Sequence, residues 1–343
     1  MRVLVLYNKP TLPADHPDAV SEADVLHTVD FVAAALAQAG LAVDRLGLSE
    51  DPRPLLQWLD QNRPDVVFNL FEGTAGRGET EAFAAGLLDW LRLPYTGAPP
   101  AAMLLARDKA LAKRLFRGAG LPTADFVVVH APTDPVALTQ WPAFVKPAAQ
   151  DASVGIDHGS VVRNETELRA RLRWLADRYP PPYLVETYLA GREFNVAIID
   201  DPEPTVLPLA EIIFDRGQPD LWPIVSYASK WAPGSREDLA ALPRCPADVE
   251  PTLARTLADL ALAAYRLVGC RDYARIDLRT DESGQPFLLE VNPNPDFGPE
   301  AGLARALKAS GRDHAAWTAA LCQRRAGEGS RGTARTLGEH ESV

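Results

Sequence analysis

The chain has 343 residues, 47% of them hydrophobic and 24% charged, with a formal net charge of −11 and a pI near 5.1; that length can bury a large core and suits two or three domains. The acidic balance argues against a general grip on nucleic acid, which needs a basic surface, although local basic clusters could still bind phosphates. Cys245, Cys270 and Cys322 are scattered and fit a reducing cytosol, the six histidines contain no zinc-type pair, and no apolar run reaches membrane length.

Residues 3–7 are an apolar run too short for a signal-peptide core, and read as a buried strand ending at Asn8, Lys9 and Pro10. A helix start at residues 21–24 is followed by Val25, Val29, Val32 and Leu36 at helical spacing, as far as Gly40. A strand at 41–43, a helix at 54–62 and a strand at 66–68 come next. This alternation is the rhythm of an open parallel sheet, in which ligands sit at the carboxyl ends of the strands. The third strand runs into a glycine-rich loop, residues 69–79, in that position. It is neither a Walker A sequence nor a G-x-G-x-x-G, and a plain strand-to-helix connection explains it equally well.

A turn at 93–98 closes this first unit. A helical segment at 107–113 carries Asp108, Lys109 and Lys113. Strands are expected at 126–129 and 143–147, the latter with Lys146 just before Pro147. The small-residue loop at 150–156 can bring backbone N–H groups onto phosphate oxygens, with a lysine nearby as a point charge. Taken singly, Lys109 and Lys146 read as solvated surface lysines. A helix at 163–179, with Glu165, Glu167 and Arg169 on its exposed side, is broken by three prolines. Strand signals return at 183–189, 193–199 and 205–213, and residues 227–231 precede a Pro-Gly turn. Residues 249–268 read as a helix apolar all round, a buried packing helix. A last helix is expected from Gly302 to Arg324, and residues 325–343, rich in Gly, Ser, Arg and Glu, read as disordered.

The chain is organised around a hairpin. Apolar runs at 274–278 and 287–291 flank a polar, Gly-containing turn at 280–284. Because strand side chains alternate, Arg275 and Asp277 share one face of the first strand, and Glu290 and Asn292 one face of the second. Antiparallel pairing can bring all four together. Two carboxylates and an amide oxygen suit Mg²⁺, with Mn²⁺ as a substitute, because such an ion keeps waters and shares its coordination with substrate phosphates. An arginine beside it fits a developing anion. A surface hairpin with solvated charges would account for R-x-D alone, but less well for the added E-x-N at the end of a strand before a Pro-rich break.

In their order along the chain, these segments resemble the ATP-grasp superfamily and, within it, the D-alanine–D-alanine ligases. The resemblance runs to about Arg324. It is carried by Asp108 and Lys109 with Lys113, Lys146 and Pro147 with residues 153–155, Val185 and Glu186 through Gly191 to Phe194, Arg275 with Asp277, and Glu290 with Asn292. It implies an α/β protein built of α+β lobes. An open parallel-sheet substrate domain (1–102) would precede a small central ATP-grasp lobe (103–185) and a C-terminal lobe with the Mg²⁺ site (186–324), followed by the tail. By position, Lys109 and Lys146 would contact the nucleotide or its phosphates, and Ser153, Val154 and Gly155 would cover the phosphates. Glu186, Tyr188 and Leu189 would meet adenine, and Glu193 the ribose hydroxyls. Lys230 would reach the γ-phosphate, Asp277, Glu290 and Asn292 would hold Mg²⁺, and Arg275 would stabilise an oxyanion. The implied reaction is ATP-dependent ligation of a small carboxylate, an amino acid or small peptide, to an amine through an acyl phosphate. A cytoplasmic location and a homodimer are the corresponding expectations.

Four departures set this chain apart from the ligase pattern. The glycine-rich opening after the first strand, with its Glu for the donor amino group, is replaced by residues 7–10, leaving Glu22 or Asp24 as the substitute. A serine and a tyrosine linked to that Glu are here Ala152 and Trp231. The histidine of an N-x-x-H-G segment is Glu72. Finally, Pro295 is followed by Asp296, Phe297 and Gly298, where the family has Gly, an apolar residue and Thr. A buried, ionised Asp296 would repel an acceptor carboxylate by several kcal/mol, and would instead suit an amine or hydroxyl. The substrate pair is therefore expected to differ from two D-alanines. A genuine D-alanine–D-alanine ligase and a nucleotide-binding module without turnover are the competing readings, and an oxyanion-stabilising Arg275 counts against the second.

Overall fold

The computed structural model describes residues 1–338 apart from 14, 17, 18, 75 and 139. The chain forms two compact units, one of Met1–Met103, Cys270–Tyr273 and Pro293–Val343, the other of Leu104–Gly269 and Ala274–Asn292.

The first unit opens with β1 (Arg2–Asn8), α1 (Ala19–Ala23), α2 (Val25–Gln38), β2 (Ala42–Leu48), α3 (Arg53–Gln61), β3 (Val66–Leu70) and α4 (Thr80–Trp90), and leads into α5 (Pro100–Arg107). Its three strands pair in parallel in the order β2-β1-β3. Val3, Leu4, Val5 and Leu6 are wholly buried, as are Val66, Val67 and Phe68. A parallel strand covered on both faces reads as an unbroken apolar run, which is why β1 and β3 stand out in the sequence. The single helix expected from residue 21 is two, α1 and α2, meeting at Asp24.

The second unit continues with α6 (Lys109–Gly118), β4 (Phe126–Val129), β5 (Ala143–Pro147), β6 (Val161–Val162), α7 (Glu165–Ala176) and β7 (Tyr183–Thr187). Its first sheet has the order β4-β7-β5-β6, and Leu168, Leu172 and Leu175 of α7 pack on Val145 and Val185. Then come β8 (Glu193–Asp200), β9 (Pro204–Val206), β10 (Ala210–Phe214), α8 (Tyr227–Trp231), α9 (Arg236–Leu239), β11 (Ala241–Arg244), α10 (Pro251–Val268), β12 (Tyr273–Thr280) and β13 (Pro286–Asn292). The second sheet runs β11-β10-β8-β12-β13, with β9 on β8.

The strand expected over 205–213 is also two, β9 and β10, and the later helices differ from the sequence expectation as well. Helix α10 is not apolar all round. It buries Leu257, Ala261, Ala264, Tyr265 and Val268, one stripe at helical spacing, and turns Arg255, Asp259 and Arg266 to water. The helix expected from Gly302 to Arg324 is two, α11 (Gly302–Ala309) and α12 (His314–Gly338). Gly311 lies between them at φ +78°, a left-handed turn that ends a helix, and the Asp313 carboxylate then accepts from the Ala316 N–H at 2.7 Å to start the next. Helix α12 packs on α2 and continues to Gly338, through most of the tail read as disordered; residues 339–343 lie outside the described residues. Among the described residues no helix is long and apolar enough to cross a membrane.

Candidate active site

The hairpin pairs β12 and β13 so that Arg275 lies opposite Asn292 and Asp277 opposite Glu290, with a bulge just after Asp277. Asp277 is buried and accepts four hydrogen bonds. Arg275 donates through Nε at 2.8 Å and Nη2 at 2.9 Å, Asn195 of β8 donates at 2.7 Å, and Asn292 at 3.0 Å. Glu290 faces Lys109 at 3.6 Å. Burial opposes its ionisation, but Lys109, Lys146, Lys230 and Arg275 outweigh burial and bring its carboxyl down to about 2. The donor set fits a hard divalent cation: two carboxylates side by side, and an amide that offers its oxygen when it turns over. Among the described residues there is no group of three or more His, Cys, Asp or Glu that could hold a metal ion by itself.

A cluster of lysines lies in the same unit. Lys109 and Lys146 are 4% and 6% exposed, which overturns their reading as solvated surface groups. Asp108 caps α6 by accepting from the Leu111 N–H at 2.9 Å, and this fixes the first turn that carries Lys109. Lys109 Nζ donates to Asp151 and to the Gln150 carbonyl, each at 2.7 Å. Burial would discharge this lysine, yet Asp151 and Glu290 raise its pKa to about 12. Lys146 on β5 and Lys113 on α6 each stand 2.8 Å from one oxygen of Glu186. Two ammonium groups thus share one carboxylate; against burial they hold Glu186 down at about 2. Lys113 also donates to Thr123 Oγ1 at 2.7 Å, and Thr123 in turn donates to the Leu288 carbonyl on β13 at 2.8 Å.

Tyr188 and Leu189 follow β7 and are buried, the Tyr188 ring edge-on to Trp222 at 5.4 Å. Glu193 opens β8 and accepts from Arg279 Nη1 at 2.9 Å. Burial raises its pKa, and Arg279 opposes that rise. In the small-residue loop, Ala152 and Ser153 adopt φ +54° and +62°, and Gly155 φ +75°. Two successive L-residues in the left-handed region are strained, a feature that gathers at ligand clamps. Ser153 Oγ donates to the Val225 carbonyl at 3.1 Å, Trp231 Nε1 to the Ala152 carbonyl at 3.0 Å, and the Tyr227 N–H to the Ile156 carbonyl at 2.9 Å, so the loop is tied three times to the segment that carries α8. Lys230 is exposed. Surrounding protein and then Arg275 push its pKa down, and water screens the effect.

The remaining sequence candidates lie in the first unit. Glu22 accepts from the Thr11 N–H and hydroxyl and from the Leu12 N–H at 2.7 to 2.9 Å, which commits both its oxygens to the loop after β1. Burial, and then the Asp296 charge, raise the pKa of Asp24. Glu72 is exposed, and its N–H donates to Asn8 Oδ1 at 3.1 Å. Asp296 is exposed too, and accepts from the Gly298 N–H at 2.7 Å. The several kcal/mol of repulsion expected of a buried Asp296 therefore shrink to about 1 kcal/mol or less. Phe297, by contrast, is 1% exposed and packs against Phe68, Tyr273, Trp317 and His314.

Sequence reasoning assigned no role to Lys113, Thr123, Asn195 or Arg279. Lys113 was in view four residues after Lys109 on one helix face, and period two from Asp277 and Glu193 would have pointed to Arg279 and Asn195.

A family model described as D-ala D-ala ligase C-terminus matches residues 115–323. Relatives include y4sG, an uncharacterised protein of Sinorhizobium fredii, 34% identical over 296 residues that make up 83% of each chain. A D-alanine–D-alanine ligase of Gloeobacter violaceus is 35% identical over 271 residues, 77% of this chain and 83% of that one. The fold matches a crystal structure of D-alanine–D-alanine ligase from Bacillus anthracis complexed with ATP, with a TM-score of 0.72 over 95% of this chain and 97% of that one at 18% identity, a likeness of fold alone.

Proposed function

Because the chain belongs to the D-alanine–D-alanine ligase family, ATP-grasp ligases that form carbon–nitrogen bonds, we propose that it couples a small carboxylic acid to an amine through an acyl phosphate, on a pair other than two D-alanines. The observation that carries this reading is the β12–β13 register, which sets Arg275 and the Asp277, Glu290 and Asn292 oxygens together in the unit that buries Lys109 and Lys146.

The chemistry follows from charge. The substrate carboxylate attacks the γ-phosphorus of ATP and ADP leaves, a step in which negative charge spreads over the transferring oxygens. Asp277, Glu290 and Asn292 would hold Mg²⁺, which when bound neutralises phosphate oxygens. Lys109 and Lys146 add positive charge from fixed positions, the exposed Lys230 adds a third charge, and the 150–156 loop excludes water and offers N–H donors. The amine then attacks the acyl carbon, Arg275 stabilises the oxyanion, and phosphate departs. No side-chain nucleophile is required, so positioning and electrostatics account for the rate. In this structure Arg275 is forked onto Asp277, and to serve the oxyanion it would release that carboxylate, which would then be open to Mg²⁺.

The choice of substrate pair rests on Glu72, on Ala152 with Trp231, and on Asp296 beside Asp24. An exposed Asp296 weakens the repulsion argument without removing it, because Asp24 adds a second negative group to the same unit. The scattered spacing and odd number of Cys245, Cys270 and Cys322 support a reducing, cytoplasmic setting. A genuine D-alanine–D-alanine ligase is the second reading, favoured by relatives such as that of Gloeobacter violaceus. The deciding experiment is ADP release with ATP and Mg²⁺ across D- and L-amino acids, small dipeptides and polyamines, with product masses recorded. Turnover with another pair supports the proposal. Robust turnover of D-alanine alone to its dipeptide, at micromolar to millimolar KM, overturns it in favour of the second reading.

A further inference from the structure

Arg279 lies on β12, four residues beyond Arg275, and is 5% exposed. Its guanidinium is shared among three partners. Nη1 donates to Glu193 Oε2 at 2.9 Å, and Nη2 donates to the Tyr188 hydroxyl at 3.1 Å and the Pro223 carbonyl at 2.6 Å. It also stands over the rings of Tyr188 and Phe214, at 5.1 and 5.4 Å. Its Nε is buried and has no hydrogen-bond partner among the described residues. Glu193 receives this arginine on Oε2 and accepts nothing on Oε1 from the described residues.

A buried arginine–carboxylate pair is weak evidence for stability, because desolvating both charges consumes most of their attraction. What such a pair does well is fix orientation: a planar fork held at several points gives its carboxylate one geometry. The partners here are the two side chains that the family resemblance puts on the sugar and the base, Glu193 and Tyr188. The geometry points to Arg279 as a positioning residue of the nucleotide site, holding Glu193 by one oxygen so that the other meets the ribose hydroxyls, and locking Tyr188 beside it. The inference rests on the reading of Glu193 as the ribose-binding carboxylate. An apolar side chain at 279 would pack against the same rings but could not orient Glu193, so selection for the ribose depends on this arginine.

The test is equilibrium binding to the full chain by calorimetry, with Mg²⁺ and either ATP or 2′,3′-dideoxyATP. The wild-type protein is expected to prefer ATP by about tenfold or more, the worth of a charge-assisted hydrogen bond. Arg279→Met should bring that ratio to about unity by weakening ATP more than the dideoxy analogue, and in turnover should raise KM for ATP with kcat little changed, the signature of lost uniform binding. Arg279→Lys, which keeps the buried charge but cannot fork across Glu193 and Tyr188, should lose most of the ratio and serves where the methionine variant does not fold. Variants that weaken both nucleotides equally, or neither, would reduce Arg279 to a packing role and overturn the inference. A wild-type protein that binds both nucleotides alike would remove Glu193 from the ribose and the inference with it. A wild-type protein that binds neither would instead defeat the nucleotide reading itself.

Discussion

At the scale of single residues, the site is governed by charges taken out of water in matched sets. Glu186 shows the consequence for stability. Its folded pKa, about 2, lies below the ordinary 4.5. A depressed carboxyl contributes stability in full above its unfolded pKa and loses it as pH falls toward the folded value. The difference is worth roughly 3 kcal/mol. The wild-type protein's resistance to urea should therefore weaken as pH drops from 4.5 toward 2. Glu186→Gln should be less stable at neutral pH by a similar amount, because it strands Lys113 and Lys146, and should show a flatter acid limb. Identical acid limbs would mean that the two lysines do not hold this carboxyl ionised. Arg275 is a different case, since its task lies in a transition state. Arg275→Met should lower kcat by about 10² to 10³-fold while Mg²⁺–ATP binding persists, because losing the fork frees Asp277 rather than disabling it. Unchanged turnover would contradict its role.

At the scale of elements, strand alternation does most of the assembly. Arg275 and Asp277 fall on one side of β12, Glu290 and Asn292 on one side of β13, and antiparallel register closes the set. Glu193 depends on a second device, the close approach of the chain before β8 to the end of β12. Gly191 N–H donates to the Thr280 carbonyl at 3.0 Å, and Arg192 N–H to Thr280 Oγ1 at 2.9 Å. A Cβ on Gly191 would lie 2.1 Å from Thr280 Oγ1 and 2.5 Å from two backbone oxygens. Backbone cannot yield as a side-chain tip does, so Gly191→Ala should cost about 2 kcal/mol or more of unfolding free energy. It should also weaken nucleotide binding by shifting Glu193. Wild-type stability in that variant, read from the urea midpoint, would show that the approach is looser than the geometry indicates.

At the scale of the whole molecule, ligands that bind only the folded chain stabilise it by mass action. At a hundred times Kd the gain is about 2.7 kcal/mol. Mg²⁺ and ATP together should raise the thermal midpoint by a few degrees, and EDTA should remove most of that rise, because ATP alone would bring its phosphate charge next to Asp277 and Glu290 uncompensated. Asp277→Asn should behave with Mg²⁺ as the wild-type protein does in EDTA. A shift that ignores EDTA would argue that the lysines alone hold the nucleotide.

Local pattern was enough to read the parallel βαβ opening from buried apolar runs, the β12–β13 hairpin, and the gathering of Arg275, Asp277, Glu290 and Asn292, because alternation and turn chemistry act over a few residues. It could not show that α10 buries a stripe rather than all its faces, that Gly311 divides α11 from α12, or that Asp296 stays in water, since these depend on what packs alongside. Nor could it show that Lys109 and Lys146 are buried. A lysine alone is better solvated, and only the arrival of Asp151, Glu186 and Glu290 from distant segments makes its burial tolerable. Arg279 and Glu193, 86 residues apart, belong to the same class. Single side chains carry their chemistry in the sequence, whereas the partner that makes a buried charge affordable is chosen by the fold.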